Sequence, residues 1–314
     1  MTMGSHAVND VFVLYGALRS GTTLVRLLLD AHPDIGCPGE RDFMLDHLEQ
    51  NGADLVLNAG DLELDRIFRA SGLPVPDVRE GEAAFRTMLA GDRARSGKKV
   101  HVLVLHRELG RLRQLCPEAR IIHLLRDPRD VARSSIGMGW AGNTWHGIDH
   151  WLGTERDWDR LAIPEERVFT LRYEDLLAAP KDQLSRLCAF LGLSYSPAML
   201  DYAQHSTYEA IDPRLAFQWR SKQSPREIAE VEYKLGHLLE ARGYRPSGAV
   251  VGPPGVIRRA RLALQNKLHT WKVRTERYGY VDPVLVMLAG RLRWKSLGRG
   301  AQLRIDRKTQ GYLK

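Results

Sequence analysis

Cysteine is scarce in this chain, with Cys37, Cys116 and Cys188 the whole supply in 314 residues. Their odd number, wide separation and lack of any metal-ligand spacing exclude a disulfide-stapled scaffold and a zinc knuckle, leaving three reduced thiols as the expectation. Long hydrophobic runs are missing as well. No segment approaches the roughly 20 apolar residues that span a bilayer, and no basic-then-apolar leader precedes the first strand-like run. A cytoplasmic location is therefore expected, extending to peripheral membrane contact if the tail supplies it. Internal repeats and low-complexity tracts are also absent. Acidic residues run short at one end: residues 251–314 hold 15 Lys+Arg and 3 Asp+Glu, a balance of +12, against +8 for the whole chain and −4 for residues 1–250. The basicity belongs to the tail and says little about the ligand of the main domain.

What is present reads as globular: 44% hydrophobic and 27% charged residues. The length suits a domain over residues 1–250 followed by a basic, helical extension over residues 251–314. "VFVLY" at 11–15 has the β-branched and aromatic make-up of a buried strand, and "TTLVRLLLDAHP" places Leu24, Leu27 and Leu28 on one helical face before Pro33 stops it. The alternation repeats through "KKVHVLVLH", "RELGRLRQLCPEA", "RIIHLLRDPRDVARSSI", "RVFTLRYEDLL" and "KDQLSRLCAFLGL". Strands separated by helices of this length predict a parallel α/β sheet with helices on both faces, a three-layer fold with right-handed crossovers. Residues 43–98 read as a helical insertion over that sheet. "SPREIAEVEYKLGHLLEARGY" reads as a single helix with Ser224 as N-cap, Pro225 at its first position and Gly243 beyond its end. "RPSGAVVGPPGV" has the Gly/Pro content of a linker.

The loop after the first strand carries the chemistry. Gly16 to Thr23 has the G-x-x-x-x-G spacing of a phosphate-binding loop, but Thr22 stands where a nucleoside triphosphatase has its lysine. Consecutive amides and a helix N-terminus still aim positive partial charge at an anion. A lysine would help neutralise a magnesium-bound polyphosphate. A ligand with a single 5′-phosphate demands less, and Arg19 with the hydroxyls of Ser20, Thr22 and Thr23 could meet it.

In this stretch, "RSGTTLVRLLLDAHPDIGCPGE", the sequence resembles the sulfotransferase family that uses 3′-phosphoadenosine-5′-phosphosulfate (PAPS), especially the tyrosylprotein sulfotransferase branch and related bacterial enzymes. The resemblance implies a P-loop-like sulfotransferase fold in which Arg19, Ser20, Gly21, Thr22 and Thr23 hold the 5′-phosphosulfate. A second segment, "RIIHLLRDPRDVARSS", resembles the family's 3′-phosphate motif and nominates Arg126 and Ser134, with Arg133 as a helper. An arginine at the C-terminal end of a strand can grip a phosphate bidentately, and a serine two turns into the next helix adds a hydroxyl. "LRYEDLL" is similar to a segment that approaches the nucleotide in relatives and nominates Tyr173. "FQWRSKQSP" is similar to a late loop that closes over it, and nominates Trp219, Arg220 and Lys222.

Sulfuryl transfer needs a base for the acceptor's proton. Read without gaps from the loop, Glu40 falls where the tyrosylprotein branch keeps its catalytic glutamate, although "CPGER" is less acidic than that branch's local sequence. Small-molecule sulfotransferases resemble one another in a histidine base, for which His101 and His106 are the rivals. The K-T/D-P segment of relatives is only echoed in "GKKVHVLVLH", where Lys99 takes the lysine's place, so Arg19 is the catalytic cation expected at the sulfonate. Trp140, Trp145, Trp151 and Trp158 divide between the core and an acceptor groove.

The expected function is metal-independent transfer of a sulfuryl group from PAPS to a hydroxyl on a natural product, carbohydrate, lipid or peptide tyrosine, releasing 3′,5′-adenosine bisphosphate. The alternatives are a P-loop kinase or NTPase, and a non-catalytic nucleotide-binding scaffold on a membrane. The tail is expected to meet a membrane, an acidic polymer or a second copy of the chain, and not nucleic acid.

Overall fold

The computed structural model describes residues 11–292 and 295–312. The chain divides into two compact units: residues 11–127 with 150–218, and residues 128–149 with 219–312.

The first unit is built on a sheet of five strands, β1 (Phe12–Gly16), β2 (Ile35–Gly36), β5 (Val100–Leu105), β6 (Arg120–Leu125) and β7 (Val168–Arg172), in the order β2-β5-β1-β6-β7 with every pairing parallel. Alternate residues of each strand feed opposite faces. Val13, Tyr15, Leu103, Leu105 and Ile121 join one apolar cluster, while Phe12, Leu14, Val102, Val104 and Ile122 join the other. The helix Thr22–Asp30 covers the second face with Leu24, Val25, Leu28 and Leu29, and the helix Gly81–Ser96 covers the first with Ala84, Phe85, Met88 and Leu89. The three-layer parallel sheet expected from the alternation is thus the fold found.

Residues 43–98 depart from the helical expectation. They include an antiparallel hairpin, β3 (Leu48–Asn51) with β4 (Asp54–Leu57). Its turn places Gly52 at φ 64, a conformation a side chain resists. The Asn51-Gly52 pair is the local signal that favours such a turn. All three cysteines are buried and free; burial pushes the Cys37 thiol up to about 12 and those of Cys116 and Cys188 up to about 11, so they behave as small apolar side chains.

The second unit contains the helices Pro128–Gly137, Pro225–Leu235 and Val256–Tyr278. Ser224 is the N-cap, as expected, and Glu227 reciprocates by accepting from Ser224 N. The helix they start is shorter than its amphipathic pattern, because Gly236 at φ 57 breaks it and a separate turn, Leu238–Ala241, follows. The tail continues as Val281–Leu292 and Lys295–Tyr312. Arg293 and Trp294, which end the amphipathic stretch "VDPVLVMLAGRLRW", lie outside the described residues.

Candidate active site

Strand β1 delivers the chain into the phosphate-type loop at the C-terminal edge of the sheet, the edge where parallel sheets bind ligands. Ala17 O accepts from Ser20 N at 3.1 Å, and Gly21 O from Val25 N at 3.1 Å, so the loop passes without a break into the helix Thr22–Asp30. Two residues hold left-handed backbone, Arg19 at φ 71 and Gly21 at φ 97. For Arg19 this costs about 1–2 kcal/mol, and such strain persists only where the surroundings fix it.

Gly21 is fixed by contact. A Cβ there would lie 2.4 Å from Cδ2 and 2.6 Å from Cε2 of Tyr173, so the glycine abuts that edge of the tyrosine ring. The guanidinium of Arg126 lies 4.3 Å from the centroid of that ring. Arg126, the residue after β6, donates from Nη1 to Arg19 O at 3.2 Å and from Nη2 to Leu215 O at 3.3 Å. Arg19, Gly21, Arg126 and Tyr173 therefore form one cluster. Burial, reinforced by Arg126, depresses the pKa of Arg19, as expected for two cations drawn together at a place suited to an anion. Ser20 Oγ is fully buried without a hydrogen-bond partner, and Arg126 Nε is a buried donor in the same position. A glycine floor, two guanidiniums and an orphaned hydroxyl fit a phosphorylated ligand.

Glu40 reaches the same edge. It bridges to Val104 near the end of β5, and Val104 O accepts from Arg41 N at 2.9 Å. Its carboxylate, 44% exposed, lies 3.5 Å from His106 Nε2. On the other side of that ring Nδ1 donates to Gly16 O at 2.8 Å, so Nδ1 carries a proton and Nε2 faces the carboxylate. The nearby His106 imidazole, 3.5 Å away, holds Glu40 below the usual carboxylate range. Burial drags the His106 imidazole down, yet Glu40 and Asp42 outweigh it and the pKa is raised. Asp42 Oδ1 accepts from the amides of His106 at 2.8 Å and Arg107 at 3.2 Å, which pins the end of β5.

Beneath Glu40, Arg41 makes a bidentate pair with Asp92 at 2.7 and 2.9 Å and donates to Glu40 O at 3.0 Å. His101 belongs to this buried set, its Nε2 3.0 Å from Asp92. It pairs with Gly36 near the start of β5, whereas the loop leaves β1 at the opposite end. Lys99 precedes β5 at that same far end, 71% exposed and paired with Asp34. Neither reaches the loop; His106, at the correct end, does.

The remaining candidates fall in the second unit. Ser134 is half-buried in the helix Pro128–Gly137. Arg133 Nη1 donates to Lys222 O at 2.8 Å, and Asp130 Oδ1 accepts from Trp219 N at 2.7 Å. Trp219 is buried with the Arg129 guanidinium 3.7 Å from its ring centroid, and Arg220 lies 5.5 Å from the same ring. Arg129 pairs with Glu232 at 2.6 Å. Sequence reasoning passed over Arg129 and Asp130, which tie the Trp219 segment to the motif helix. Arg129→Ala is expected to destabilise the protein by about 1.5–3 kcal/mol, because it takes a charged donor from the half-buried Glu232, which keeps its bonds from Ser247 N and Oγ; the midpoint of urea unfolding measures it.

Of the tryptophans, Trp151 is fully buried, Trp158 stacks on His123 at 3.7 Å in the core, and Trp140 is 39% exposed. Among the described residues no cluster of side chains suits a metal ion.

Comparison with known proteins places these features in context. The model of the "Sulfotransferase family" matches residues 10–197. "Nodulation protein NoeE" of Sinorhizobium fredii is 29% identical over 80% of this chain and 70% of its own length. "Omega-hydroxy-beta-dihydromenaquinone-9 sulfotransferase Stf3" of Mycobacterium bovis is 30% identical over 42% of this chain, a match spanning 37% of that protein. Among solved structures, the "Sulfotransferase Domain from the Curacin Biosynthetic Pathway" covers 75% of this chain and 98% of its own at 18% identity, with a TM-score of 0.55, a likeness of fold.

Proposed function

The chain belongs to the sulfotransferase family, and from that premise we propose that it draws the sulfuryl group from PAPS and delivers it to an acceptor hydroxyl with Glu40 as the base. The observation that carries this reading is the joining of Arg126 to the loop backbone at Arg19, which lets two anion-binding elements serve one nucleotide.

The loop residues Arg19, Ser20, Gly21, Thr22 and Thr23 would hold the 5′-phosphosulfate end, and Arg126 with Ser134 the 3′-phosphate. PAPS supplies the electrophilic sulfuryl group and leaves as 3′,5′-adenosine bisphosphate. Arg19 meets the negative charge that builds on the sulfonate and the departing phosphate. Glu40 takes the acceptor's proton while the new O–S bond forms. His106 acts as a positioning residue: its Nδ1–H is committed to Gly16 O, so Nε2 points at the carboxylate and keeps it ionised. Tyr173 serves as the platform under Gly21 and Arg126, and Trp219 as a buried anchor on Arg129 rather than an open stacking surface.

A charge-assisted grip on the 3′-phosphate contributes about 1.5–3 kcal/mol, so 3′,5′-adenosine bisphosphate should bind roughly ten- to a hundredfold more tightly than AMP. Calorimetry measures this, and Arg126→Ala should abolish the preference. Equal affinity for both nucleotides in the native protein contradicts the assignment, as does magnesium-dependent ATP turnover, the mark of a kinase. The His106 linkage has a pH signature. Glu40's depressed pKa keeps it ionised into the acid range, so His106→Asn should move the acidic limb of kcat/KM to higher pH; an unmoved limb excludes the coupling. Radiolabelled transfer from PAPS into fractionated extracts identifies the acceptor.

A further inference from the structure

The helix Val256–Tyr278 has one packed side. Leu262 is buried, Leu262 O accepts from Asn143 Nδ2 at 2.8 Å, Asn266 Oδ1 accepts from Gly142 N at 2.7 Å, and Arg277 Nη1 donates to Met138 O at 2.8 Å. A helix packed in this way ordinarily turns polar residues outward. Here the outward face carries Ile257, Leu264 and Leu268, exposed to 72%, 58% and 61%. At 3.6 residues per turn these three fall within an arc of about 40°, with Arg261 and Lys272 on one flank and Lys267 and Arg274 on the other.

Seven Lys+Arg stand against Glu276 alone in this helix. Arg258 and Arg277 are occupied inward, by Glu230 and by Met138 O, and Arg259 donates to Pro254 O; the four flanking cations are exposed, Lys272 with Glu276 3.8 Å away. Leu264 and Leu268 border an open depression of about 460 Å³ that Arg261, His269 and Lys272 also line. No described helix is long and apolar enough to cross a membrane.

We propose that this face lies on an anionic lipid surface, with Ile257, Leu264 and Leu268 entering the headgroup boundary while Arg261, Lys267, Lys272 and Arg274 meet lipid phosphates. An apolar stripe between two basic flanks is the arrangement such a surface selects. A polyanion would use the flanks and leave the stripe in water. A second copy would bring like charges together along both flanks. The inference is independent of the reaction proposed above.

Co-sedimentation of the full chain with vesicles tests it. Binding is expected to vesicles of 70% phosphatidylcholine and 30% phosphatidylglycerol, and at least tenfold less to pure phosphatidylcholine. Leu264→Gln with Leu268→Gln, which leaves the charge unchanged at exposed positions, should weaken binding about tenfold or more. Lys267→Glu with Lys272→Glu should weaken it as strongly and remove its salt dependence. Circular dichroism checks that each variant folds; if the glutamine pair disturbs the fold, the lysine pair carries the test. Three results overturn the proposal: no binding to the anionic vesicles, vesicle binding that the glutamine pair leaves intact and heparin displaces, or a dimer by light scattering that the glutamine pair dissolves while vesicles capture nothing.

Discussion

Glu40→Gln is expected to lower kcat/KM by about 10³, within the range typical for removal of a general base, while calorimetric affinity for 3′,5′-adenosine bisphosphate stays within about threefold. The amide keeps the shape of the carboxylate, but it cannot take a proton. Glu40 lies outside the loop that the nucleotide would occupy, so the loss should appear in turnover and not in binding. His101→Asn is the matched control. That histidine sits in the buried pair with Asp92 near the start of β5, so its loss should reduce stability and leave kcat within a few-fold. Activity retained in Glu40→Gln and lost in His101→Asn would overturn the assignment of the base.

The second large effect concerns one methyl group. Gly21→Ala is expected to weaken binding of 3′,5′-adenosine bisphosphate by a hundredfold or more. The backbone at φ 97 penalises any side chain, by about 1–2 kcal/mol. The added Cβ would also lie 2.4 Å from Tyr173, so the ring must move, and the guanidinium of Arg126 rests by that ring. The damage thus passes from one anion-binding element to the other. Tyr173→Ala in the same chain removes the obstacle, so the double variant should bind more tightly than Gly21→Ala alone, a coupling that a double-mutant cycle measures. Additive losses would mean that loop and platform act separately.

Much of this arrangement was legible in the residues. The run "VFVLY" followed by a glycine turn and a leucine-faced helix specifies strand, loop and helix by local rules alone, and the alternating periods that follow specify the parallel sheet. Pairings between distant segments were not legible. His106 meets Glu40 because residue 40 bridges to Val104, a register that neither local sequence contains. His101 and His106 look equivalent on one strand, yet they occupy opposite ends of it, and only strand direction separates them. Tyr173 was expected near the nucleotide, but no spacing rule reveals that its ring edge lies against Gly21. The hairpin at 48–57 escaped because the surrounding periodicity is helical, although Asn51-Gly52 marked the turn. The break at Gly236 escaped for a related reason: the apolar spacing continues past it, so amphipathicity alone does not see the backbone reverse.

The bidentate grip of Arg41 on Asp92 has a consequence for anyone who would alter what this enzyme accepts. The stretch 43–98 that covers the first face is the natural place to graft a loop from a relative. Position 92 is nevertheless a foundation stone for the carboxylate at 40, reached through the guanidinium between them. A chimera must carry an acid at that site or lose its footing at the reaction centre, however well the imported surface suits its new guest.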